Sequence, residues 1–360
     1  MPGISTRDLD HVLEHTTSDV WKALAGERLF VTGGTGFVGK WLLESLLWAD
    51  KRLDIRTSAF VLTRDPDRFH VECPHLTQNP RVELLRGNVQ DFEFPSGKFS
   101  FVIHAATELC FKPNQQQLLS TFDLDVEATR HVLEFARTHG TQRLLLTSSG
   151  AAYGKQPSEM THISEDYAGA PSTTDTGTGY GQAKRVSEFL CAMYARQYGF
   201  AALIARLFAF VGPHLALDKN FAVGNFIRDV LQGGSIRVKG DGTPYRSYLY
   251  AADLAVWLWT ILARGESARL YNVGSDSALT IGELADTVVR VTGERTPIEI
   301  AEEPAPGAPA LRYVPSVDRA RNELGLVPMI SLEDGIRRTF DWARHLALAS
   351  VSSSSGETDS

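Results

Sequence analysis

The sequence of 360 residues predicts an α/β fold with a doubly wound parallel sheet, followed by a smaller mixed α/β domain. Three observations predict it. From residue 28 onward, short apolar runs alternate with longer amphipathic stretches, as strands alternate with crossover helices. The first apolar run leads directly into a glycine-rich segment that opens a helix. After Gly212-Pro213 this alternation ends, and mixed short elements follow as far as residue 347.

The individual elements follow from these runs. Apolar runs predict strands at 28–32, 58–63, 81–86, 100–105, 142–148 and 202–207. Amphipathic spacing predicts helices at 37–49, 123–138 and 180–198. Two later stretches, near 249–263 and 270–274, are expected to return to the first domain, so that return segments lie within 249–274.

The chain is expected to divide into four parts. Residues 1–26 form an N-terminal helical extension, because apolar residues lie among charges over 8–25 and Gly26 follows. Residues 27–211 form the domain with the parallel sheet, and residues 212–347 form the second domain. Residues 348–360 are rich in serine and poor in apolar side chains, so they are expected to be disordered.

Composition excludes several classes of function. A net charge of -7 argues against a nucleic-acid partner, which needs a basic surface. No apolar run reaches the roughly 20 residues of a membrane span, and no secretory signal is visible. Cys73, Cys110 and Cys191 share no disulfide or metal spacing, which indicates a reducing, cytoplasmic location. His11 and His15 lack the third ligand of a metal site, so no metal is predicted.

A glycine-rich loop follows the first predicted strand. Gly33, Gly36 and Gly39 have the spacing G-x-x-G-x-x-G. Glycine lets a backbone approach phosphate closely, and the following helix offers unpaired N–H groups and the positive end of its dipole. The loop therefore predicts a Rossmann-type site for the pyrophosphate of NAD(P), with further contacts from Thr35, Phe37 and Val38.

The end of the second strand bears on which dinucleotide binds. An acidic residue there would bind the adenosine ribose and favour NAD. The sequence instead has Thr63 followed by Arg64, whose guanidinium can bind a 2′-phosphate, so NADP(H) is favoured over NAD(H). The alternative is that Arg64 stacks on the adenine or is solvated, while Asp65 binds the ribose.

Two further strand ends fit the cofactor. Asn88 and Val89 follow the third strand, and the fourth strand ends in small residues that would let a cofactor lie against it: Ala105, Ala106 and Thr107. His104 precedes them, and a structural role in the core is favoured for it over an acid–base role.

A proton-transfer group is predicted in the middle of the chain. Tyr180 and Lys184 are four residues apart, so they share one face of a helix. A nearby ammonium group stabilises phenolate and is expected to lower the tyrosine pKa from its usual ~10. Tyr180 can then exchange a proton with a carbonyl or hydroxyl oxygen while hydride moves, and Lys184 would also hold the nicotinamide ribose. Ser149, at the end of the fifth strand, can hydrogen-bond the same oxygen.

Together these residues resemble the extended short-chain dehydrogenase/reductase family, in its branch of nucleotide-sugar epimerases, dehydratases and reductases. The resemblance covers about residues 27–345 and includes, beyond the motifs above, the segments 148–154, 206–213, 240–242, 246–250 and 271–274. It implies that residues 212–347 bind a nucleotide sugar.

The resemblance also implies roles for residues of the second domain. Arg246 would clamp the pyrophosphate of the sugar nucleotide, and Arg312 is a second candidate. For both, the alternative is a surface ion pair. Val238 would pack against the nucleobase. The family forms homodimers through a four-helix bundle, to which the helices starting near Val126 and Tyr180 would contribute.

Departures from the family pattern narrow the reaction. Sugar 4,6-dehydratases that resemble this chain carry an Asp-Glu pair where Gly150 and Ala151 stand, so dehydration is not expected. The chain also has Asp125 where an asparagine is usual. The leading hypothesis is an NADP-linked reductase of a 4-keto-6-deoxy sugar nucleotide. The alternatives are a 4-epimerase with tightly bound NAD and a non-catalytic sensor or scaffold, and the intact catalytic residues argue against the last.

Overall fold

A computed structural model describes residues 3–107, 118–219 and 221–354 and is built around a seven-stranded sheet. The strands are β1 (Arg28–Thr32), β2 (Ser58–Thr63), β3 (Val82–Arg86), β4 (Phe101–His104), β5 (Arg143–Ser149), β6 (Ala201–Leu207), β7 (Phe210–Val211), β8 (Ile236–Val238), β9 (Tyr245–Arg246), β10 (Leu249–Tyr250), β11 (Leu270–Val273), β12 (Leu279–Thr280), β13 (Ile298–Ile300) and β14 (Arg312–Tyr313). The helices are α1 (Thr6–His15), α2 (Ser18–Leu24), α3 (Phe37–Leu53), α4 (Pro66–Glu72), α5 (Pro74–Thr77), α6 (Leu118–Thr138), α7 (Gly179–Tyr198), α8 (Ala222–Leu231), α9 (Ala251–Arg264), α10 (Ile281–Thr292), α11 (Asp318–Leu324) and α12 (Leu332–Ser354). Short 3₁₀ turns occupy Gly150–Tyr153 and Thr176–Thr178.

The strand order of the central sheet is β11-β6-β5-β4-β1-β2-β3, and neighbouring strands are parallel. Strand β1 lies between β4 and β2, so the direction of winding reverses there. In such sheets a crevice opens outside the carboxyl ends of the strands at the point of reversal. The predicted doubly wound α/β fold is confirmed, and each predicted strand occurs within one residue of its expected bounds.

Alternate residues of the strands face two separate hydrophobic cores. Phe30 and Leu144 belong to the core beneath α6 and α7, whereas Val31 and Leu145 belong to the larger core beneath α3 and α9. This follows from the period of two along a strand, which sends successive side chains to opposite faces. Both faces of the sheet are therefore covered, and its carboxyl edge is left for binding.

The second half of the chain forms small sheets beside that edge and also returns to the first half. Strands β12, β9 and β14 form one small sheet, and β13 pairs with β8 in another. Helix α9 packs on the central sheet, and β11 pairs with β6 as its outermost strand. These two elements are the return segments that the sequence predicts near 249–263 and 270–274.

The N-terminal extension differs from its prediction. The single helix expected over 8–25 is two helices, α1 and α2, separated by extended backbone at Thr16 and Thr17. Two adjacent β-branched residues of low helix propensity account for the break. Both helices still bury their apolar residues. Helix α1 is fixed to the second half by a hydrogen bond of 3.0 Å from Tyr250 to Asp8.

The C-terminal end also differs from its prediction. Helix α12 runs to Ser354, so residues 348–354, expected to be disordered, are helical. No glycine or proline interrupts 336–354, and adding a residue to an existing helix is far easier than starting one. Residues 355–360 lie outside the described residues.

Candidate active site

A groove of about 380 Å³ runs along the carboxyl edge of the central sheet, from the loop after β1 to the start of α6. Its lining includes ten residues that the sequence assigns to the cofactor: Gly33, Thr35, Gly36, Thr63, Arg64, Asn88, Val89, Ala105, Ala106 and Thr107. Phe37, Val38 and Gly39 form the first turn of α3, directly behind the loop.

The glycine loop fits a dinucleotide pyrophosphate. Gly33 has φ +72°, and a Cβ there would lie 2.5 Å from the carbonyl carbon of Ala105. A Cβ at Gly39 would lie 2.3 Å from the Cα of Gly34, so α3 packs directly on the loop. No described side chain caps α3 at Gly36, which leaves the N–H groups of its first turn for an anion.

His104 lies beneath the groove and has a structural role. Its Nδ1 is 2.7 Å from the Thr32 hydroxyl and its Nε2 is 3.2 Å from the Thr129 hydroxyl. Complete burial, and then the charge of Lys184, lower the pKa of His104 to about 3. The imidazole therefore stays neutral and joins β4 to β1 and α6.

The catalytic residues predicted from sequence come together beside Thr107 and Asp125, which line the groove. Ser149 is the last residue of β5, and Tyr180 and Lys184 lie in the first two turns of α7. A Cβ at Gly181 would lie only 2.5 Å from the carbonyl oxygen of Ala151, so α7 lies against the turn after β5. This contact brings Tyr180 beside Ser149 and Thr107, whose hydroxyls favour its phenolate form and so act to lower its pKa.

The protonation of Tyr180 differs from the sequence prediction. Burial, and then the charge of Asp125, raise the pKa of Tyr180 to about 12, against the smaller effect of its hydrogen bonds to Ser149 and Thr107. The Lys184 ammonium lies 5.5 Å from the centre of the tyrosine ring, but its charge is paired with Asp125 at 3.2 Å. The predicted lowering of the tyrosine pKa by Lys184 is therefore wrong for the protein without ligands.

A buried ion pair holds the two catalytic elements together. Arg206 on β6 donates two hydrogen bonds to Glu188 on α7, at 2.8 and 2.6 Å. Ser148 donates to the same carboxylate at 2.5 Å. The pair therefore fixes the end of β5, next to Ser149, against the helix that carries Tyr180.

A second phenol, Tyr313, reaches the catalytic serine from β14. Burial raises the pKa of its hydroxyl, and Ser149 and the backbone of Ala151 act to lower it, which places the phenol beside these residues. A Cβ at Gly150 would lie 2.6 Å from the Tyr313 hydroxyl and 2.8 Å from the Phe208 ring. The phenol thus occupies the space of a side chain at position 150, where the resembling dehydratases carry an acid.

Sequence reasoning missed Tyr313 because nothing in its local spacing points to the site. The pairing of β14 with β9 places it, with Tyr313 opposite Arg246 and Arg312 opposite Tyr245. The guanidinium of Arg246 lies 5.8 Å from the centre of the Tyr313 ring, beside the catalytic residues. That of Arg312 stacks at 4.1 Å on Tyr245, and its contact with the sugar nucleotide stays a prediction.

Val238 also differs from its prediction. It ends β8, pairs with Ile300 and has 2% of its surface exposed. A side chain packed in the core in this way has no surface to offer a nucleobase, so the predicted contact is not supported.

The adenosine end of the groove carries the residues on which cofactor choice depends. Thr63, Arg64, Asp65 and Arg68 all line it. The Asp65 carboxylate accepts a hydrogen bond of 3.0 Å from the backbone of Arg68 and so caps α4. Arg64 is exposed beside it. Arg68 is a second cation at this end that the sequence prediction did not include.

The described residues, 3–107, 118–219 and 221–354, contain neither a metal-binding cluster nor a helix that could cross a membrane. Within these ranges no cluster of three or more His, Cys, Asp or Glu side chains is arranged to hold a metal ion. His11 instead contacts Asp253 at 2.8 Å. No helix in the same ranges has the length and apolar character to cross a membrane. Cys73 and Cys191 are buried free thiols, and Cys110 lies outside the described residues.

A glycine loop at the reversal of a parallel sheet, with serine, tyrosine and lysine meeting at neighbouring strand ends, defines an extended short-chain dehydrogenase/reductase. The model of the NAD dependent epimerase/dehydratase family matches residues 29–274. The chain therefore belongs to this family, as the sequence resemblance predicts.

The proteins to which this chain is similar are enzymes that act on nucleotide sugars. UDP-glucuronic acid decarboxylase 6 of Arabidopsis thaliana is 30% identical over 311 residues, which cover 86% of each chain. The dTDP-glucose 4,6-dehydratase of Streptomyces venezuelae, solved with NAD, is 25% identical with a TM-score of 0.73 and covers 88% of this chain and 97% of its own. The UDP-glucuronic acid 4-epimerase of Bacillus cereus, solved with NAD and UDP-glucuronic acid, shares the fold at 20% identity and a TM-score of 0.75, over 89% of this chain and 99% of its own.

Proposed function

We propose that this protein reduces the ketone of a nucleotide-activated 4-keto-6-deoxy sugar, with NADPH as the hydride donor. The observation that carries the proposal is the meeting of Ser149, Tyr180 and Lys184 beside Thr107 and Asp125, two residues that line a groove fitting a dinucleotide. A nicotinamide dinucleotide bound there supplies the hydride.

The side chains of the chain supply the proton and hold the oxygen. Tyr180 carries its proton at neutral pH, as a tyrosine does at its ordinary pKa of ~10 and still more so at about 12. As the carbonyl carbon gains hydride, the carbonyl oxygen takes the proton of Tyr180, and the resulting phenolate is reprotonated from solvent. Ser149 donates a hydrogen bond to the same oxygen and fixes its position.

We propose that residues 212–347 form the domain that binds the sugar nucleotide. Arg246 faces the same side as Tyr313 and has the planar fork that suits a pyrophosphate. Tyr313 would lie against the sugar, next to the reacting carbon. Gly150 and Ala151 supply no acid or base, which supports ketone reduction over dehydration.

For the cofactor we propose NADP(H) over NAD(H). Arg64 is exposed at the adenosine end of the groove, and Arg68 lines the same end. Asp65, the alternative partner of an unphosphorylated ribose, is engaged as the cap of α4. The Arg68 guanidinium donates a hydrogen bond of 2.7 Å to Glu72, so the support for binding of a 2′-phosphate comes from Arg64.

The second candidate is a 4-epimerase that keeps NAD bound through both half-reactions. The structural likeness to the Bacillus cereus epimerase favours it, since that protein was solved with NAD and a sugar nucleotide. The two functions differ in their stoichiometry, because a reductase consumes its cofactor and an epimerase does not.

One experiment separates the candidates. The dinucleotide released on denaturing the purified protein is identified, and the protein is then mixed with a nucleotide-linked 4-keto-6-deoxyhexose and NADPH deuterated at the nicotinamide C4. We expect stoichiometric NADPH oxidation and deuterium at the sugar C4. Released NAD with interconversion of C4 epimers would overturn the reductase in favour of the epimerase. Release of carbon dioxide from UDP-glucuronic acid, the substrate in the relatives' name, would overturn both.

We also propose a cytoplasmic homodimer in which α6 and α7 of two copies form a four-helix bundle. The observation in support is a set of exposed apolar side chains on these helices, namely Leu119 (76% exposed), Phe189 (65%) and Met193 (41%). Light scattering should show a dimer, and Phe189→Glu should shift it to a monomer. A monomeric parent protein would refute the bundle.

A further inference from the structure

A hydrogen-bonded ion pair lies at the adenosine end of the cofactor groove. Arg68 and Glu72 are four residues apart on α4, and both line the groove. The Nε of Arg68 donates a hydrogen bond of 2.7 Å to Oε1 of Glu72. Side chains four residues apart on a helix lie on one face, so the spacing of the two residues in the sequence brings them together.

The other carboxylate oxygen of Glu72 faces a second cation. Its Oε2 lies 3.9 Å from the ammonium group of Lys40 on α3, the helix that begins at the glycine loop. The side chains of Lys40 and Glu72 are 8% and 27% exposed, whereas that of Arg68 is 75% exposed. Lys40 therefore fixes the carboxylate at the wall of the groove, and Arg68 is the partner that can turn toward a ligand.

The charges that line this end of the groove are balanced. Arg64 and Arg68 are positive, and Asp65 and Glu72 are negative. Asp65 caps α4, where the positive end of the helix dipole compensates its charge. Glu72 lies in the last turn of the same helix, where the dipole offers no such compensation. The carboxylate of Glu72 therefore acts on the guanidinium to which it is bonded.

We propose that Glu72 is a specificity-determining residue of the cofactor site, because it withholds Arg68 from the 2′-phosphate of NADPH and so weakens the binding of that dinucleotide. The inference rests on the proposed function, in which NADPH is the hydride donor and Arg64 binds the phosphate. A guanidinium bonded to a carboxylate has fewer free donors, and its charge is largely cancelled at a second anion.

A moderate affinity for the phosphate suits a reductase. Such an enzyme consumes NADPH and releases NADP⁺ after each reaction, and product release limits the rate of many enzymes. Differences in affinity lie mostly in the rate of dissociation, so a weaker contact with the phosphate means faster release. An enzyme that keeps its dinucleotide through both half-reactions gains nothing from such a contact.

The test is a calorimetric titration of the full chain with NADPH and with NADH, in the absence of sugar. Glu72→Gln keeps the shape of the side chain and removes its charge. This variant should bind NADPH about three- to fivefold more tightly, the upper range for an exposed ion pair, and NADH binding should change by less than about twofold. An unchanged NADPH affinity would overturn the proposal.

The matched control is Glu83→Gln, which makes the same change at an exposed position near the amino end of β3. At about 0.15 M salt, charges more than ~8 Å apart are largely screened, so this variant should alter neither affinity. An equal gain in Glu83→Gln would mean that net charge alone sets NADPH affinity, and it would also overturn the proposal.

The double variant Arg68→Gln/Glu72→Gln tests whether the gain comes through Arg68. The pair as a whole is neutral, and the guanidinium that Glu72→Gln releases is absent from the double variant. It should therefore bind NADPH no more tightly than the parent protein. A double variant that keeps the gain of Glu72→Gln would show that Glu72 acts without Arg68 and would reject the proposal.

A further variant covers the case in which Glu72→Gln does not fold, since that change removes the carboxylate beside the buried Lys40. Arg68→Gln alters an exposed side chain, and it should weaken NADPH binding by less than about threefold, because Arg68 is already withheld. A loss as large as that of Arg64→Ala would mean that Arg68 binds the phosphate in the parent protein, which would overturn the proposal.

Failure of this inference and failure of the proposed function give different results. No sugar is present in these titrations, so a wrong reaction or sugar substrate leaves them unaffected. A parent protein that prefers NADH would refute the proposed cofactor. The role of Glu72 would then still be decided by whether Glu72→Gln gains NADPH affinity through Arg68.

Discussion

The two sides of the active-site cleft are built in different ways. On the cofactor side, most functional residues lie at the end of a strand of one parallel sheet, in the turn that follows it, or in the first turns of a helix. Gly33 follows β1, Thr63 ends β2 and Ser149 ends β5. On the substrate side, Arg246 and Tyr313 lie on two-residue strands that meet only through the folded chain. One side therefore follows from local sequence and the other from long-range pairing.

The difference also appears in the packing. The cofactor side is fixed by close backbone contacts, such as that of Gly33 with Ala105, which leave no room for a side chain. The substrate side is fixed by aromatic contacts, such as that of Phe208 with Tyr313 at 4.7 Å between ring centres. A contact between backbones demands glycine and so leaves a sequence signature. A contact between aromatic rings does not demand one residue at a fixed spacing.

The largest loss of activity is expected from a substitution at Tyr180, where the cofactor side and the substrate side of the cleft meet. Tyr180→Phe removes the proton donor and keeps the ring, so kcat should fall by about 10²- to 10⁴-fold. Dinucleotide affinity, measured by fluorescence titration, should stay nearly unchanged. Tyr198→Phe, a matched change at the exposed end of α7, should keep full activity. Persistent turnover in Tyr180→Phe would show that another group donates the proton.

The next effect concerns the cofactor side alone. Arg64→Ala should weaken NADPH binding by about 10- to 100-fold, the worth of a charge-assisted hydrogen bond to a phosphate. NADH binding to the same variant serves as the internal control and should change little. Calorimetric titration with both dinucleotides measures this. Equal losses for both would mean that Arg64 contacts the shared part of the cofactor and would favour the NAD epimerase.

The difference between the cofactor side and the substrate side also separates what the sequence could predict from what it could not. The parallel sheet and its strand bounds were predictable, because apolar runs and the period of two report directly on buried strands. The meeting of Ser149 with Tyr180 was predictable, because a crossover helix begins at the same edge of a parallel sheet at which the preceding strand ends. The break at Thr16 was not, since apolar spacing continues through it and only the local backbone of the two threonines ends the helix.

Other features depended on contacts that no local pattern contains. The burial of Val238 follows from its pairing with Ile300, far along the chain. The raised pKa of Tyr180 follows from burial and from Asp125 on a different helix. The spacing of Tyr180 and Lys184 correctly placed both on one helix face, but it contained no information about the partner of the lysine.

A moderate effect on stability is expected at the border of the two sides. Gly150→Ala adds a Cβ that would lie 2.6 Å from the Tyr313 hydroxyl and 2.8 Å from the Phe208 ring. Overpacking of this kind costs about 1–3 kcal/mol of unfolding free energy, measured by chemical denaturation. Gly179→Ala is the matched control, because a Cβ there meets no atom within 4 Å. A Gly150→Ala protein as stable as the parent would show that Tyr313 moves aside freely.

The smallest effect on kcat/KM is expected from removing the hydroxyl of Tyr313, which the substrate side contributes. Tyr313→Phe keeps the ring packed on Phe208 and removes only the hydroxyl near Ser149. The loss of one hydrogen bond to the sugar should cost about 1 kcal/mol, or roughly fivefold in kcat/KM. The dinucleotide affinity should not change, because Tyr313 lies on β14 opposite Arg246, on the substrate side of the cleft. A loss of NADPH affinity in this variant would mean that the two sides are coupled through Ser149. An unchanged kcat/KM would restrict Tyr313 to filling the space above Gly150.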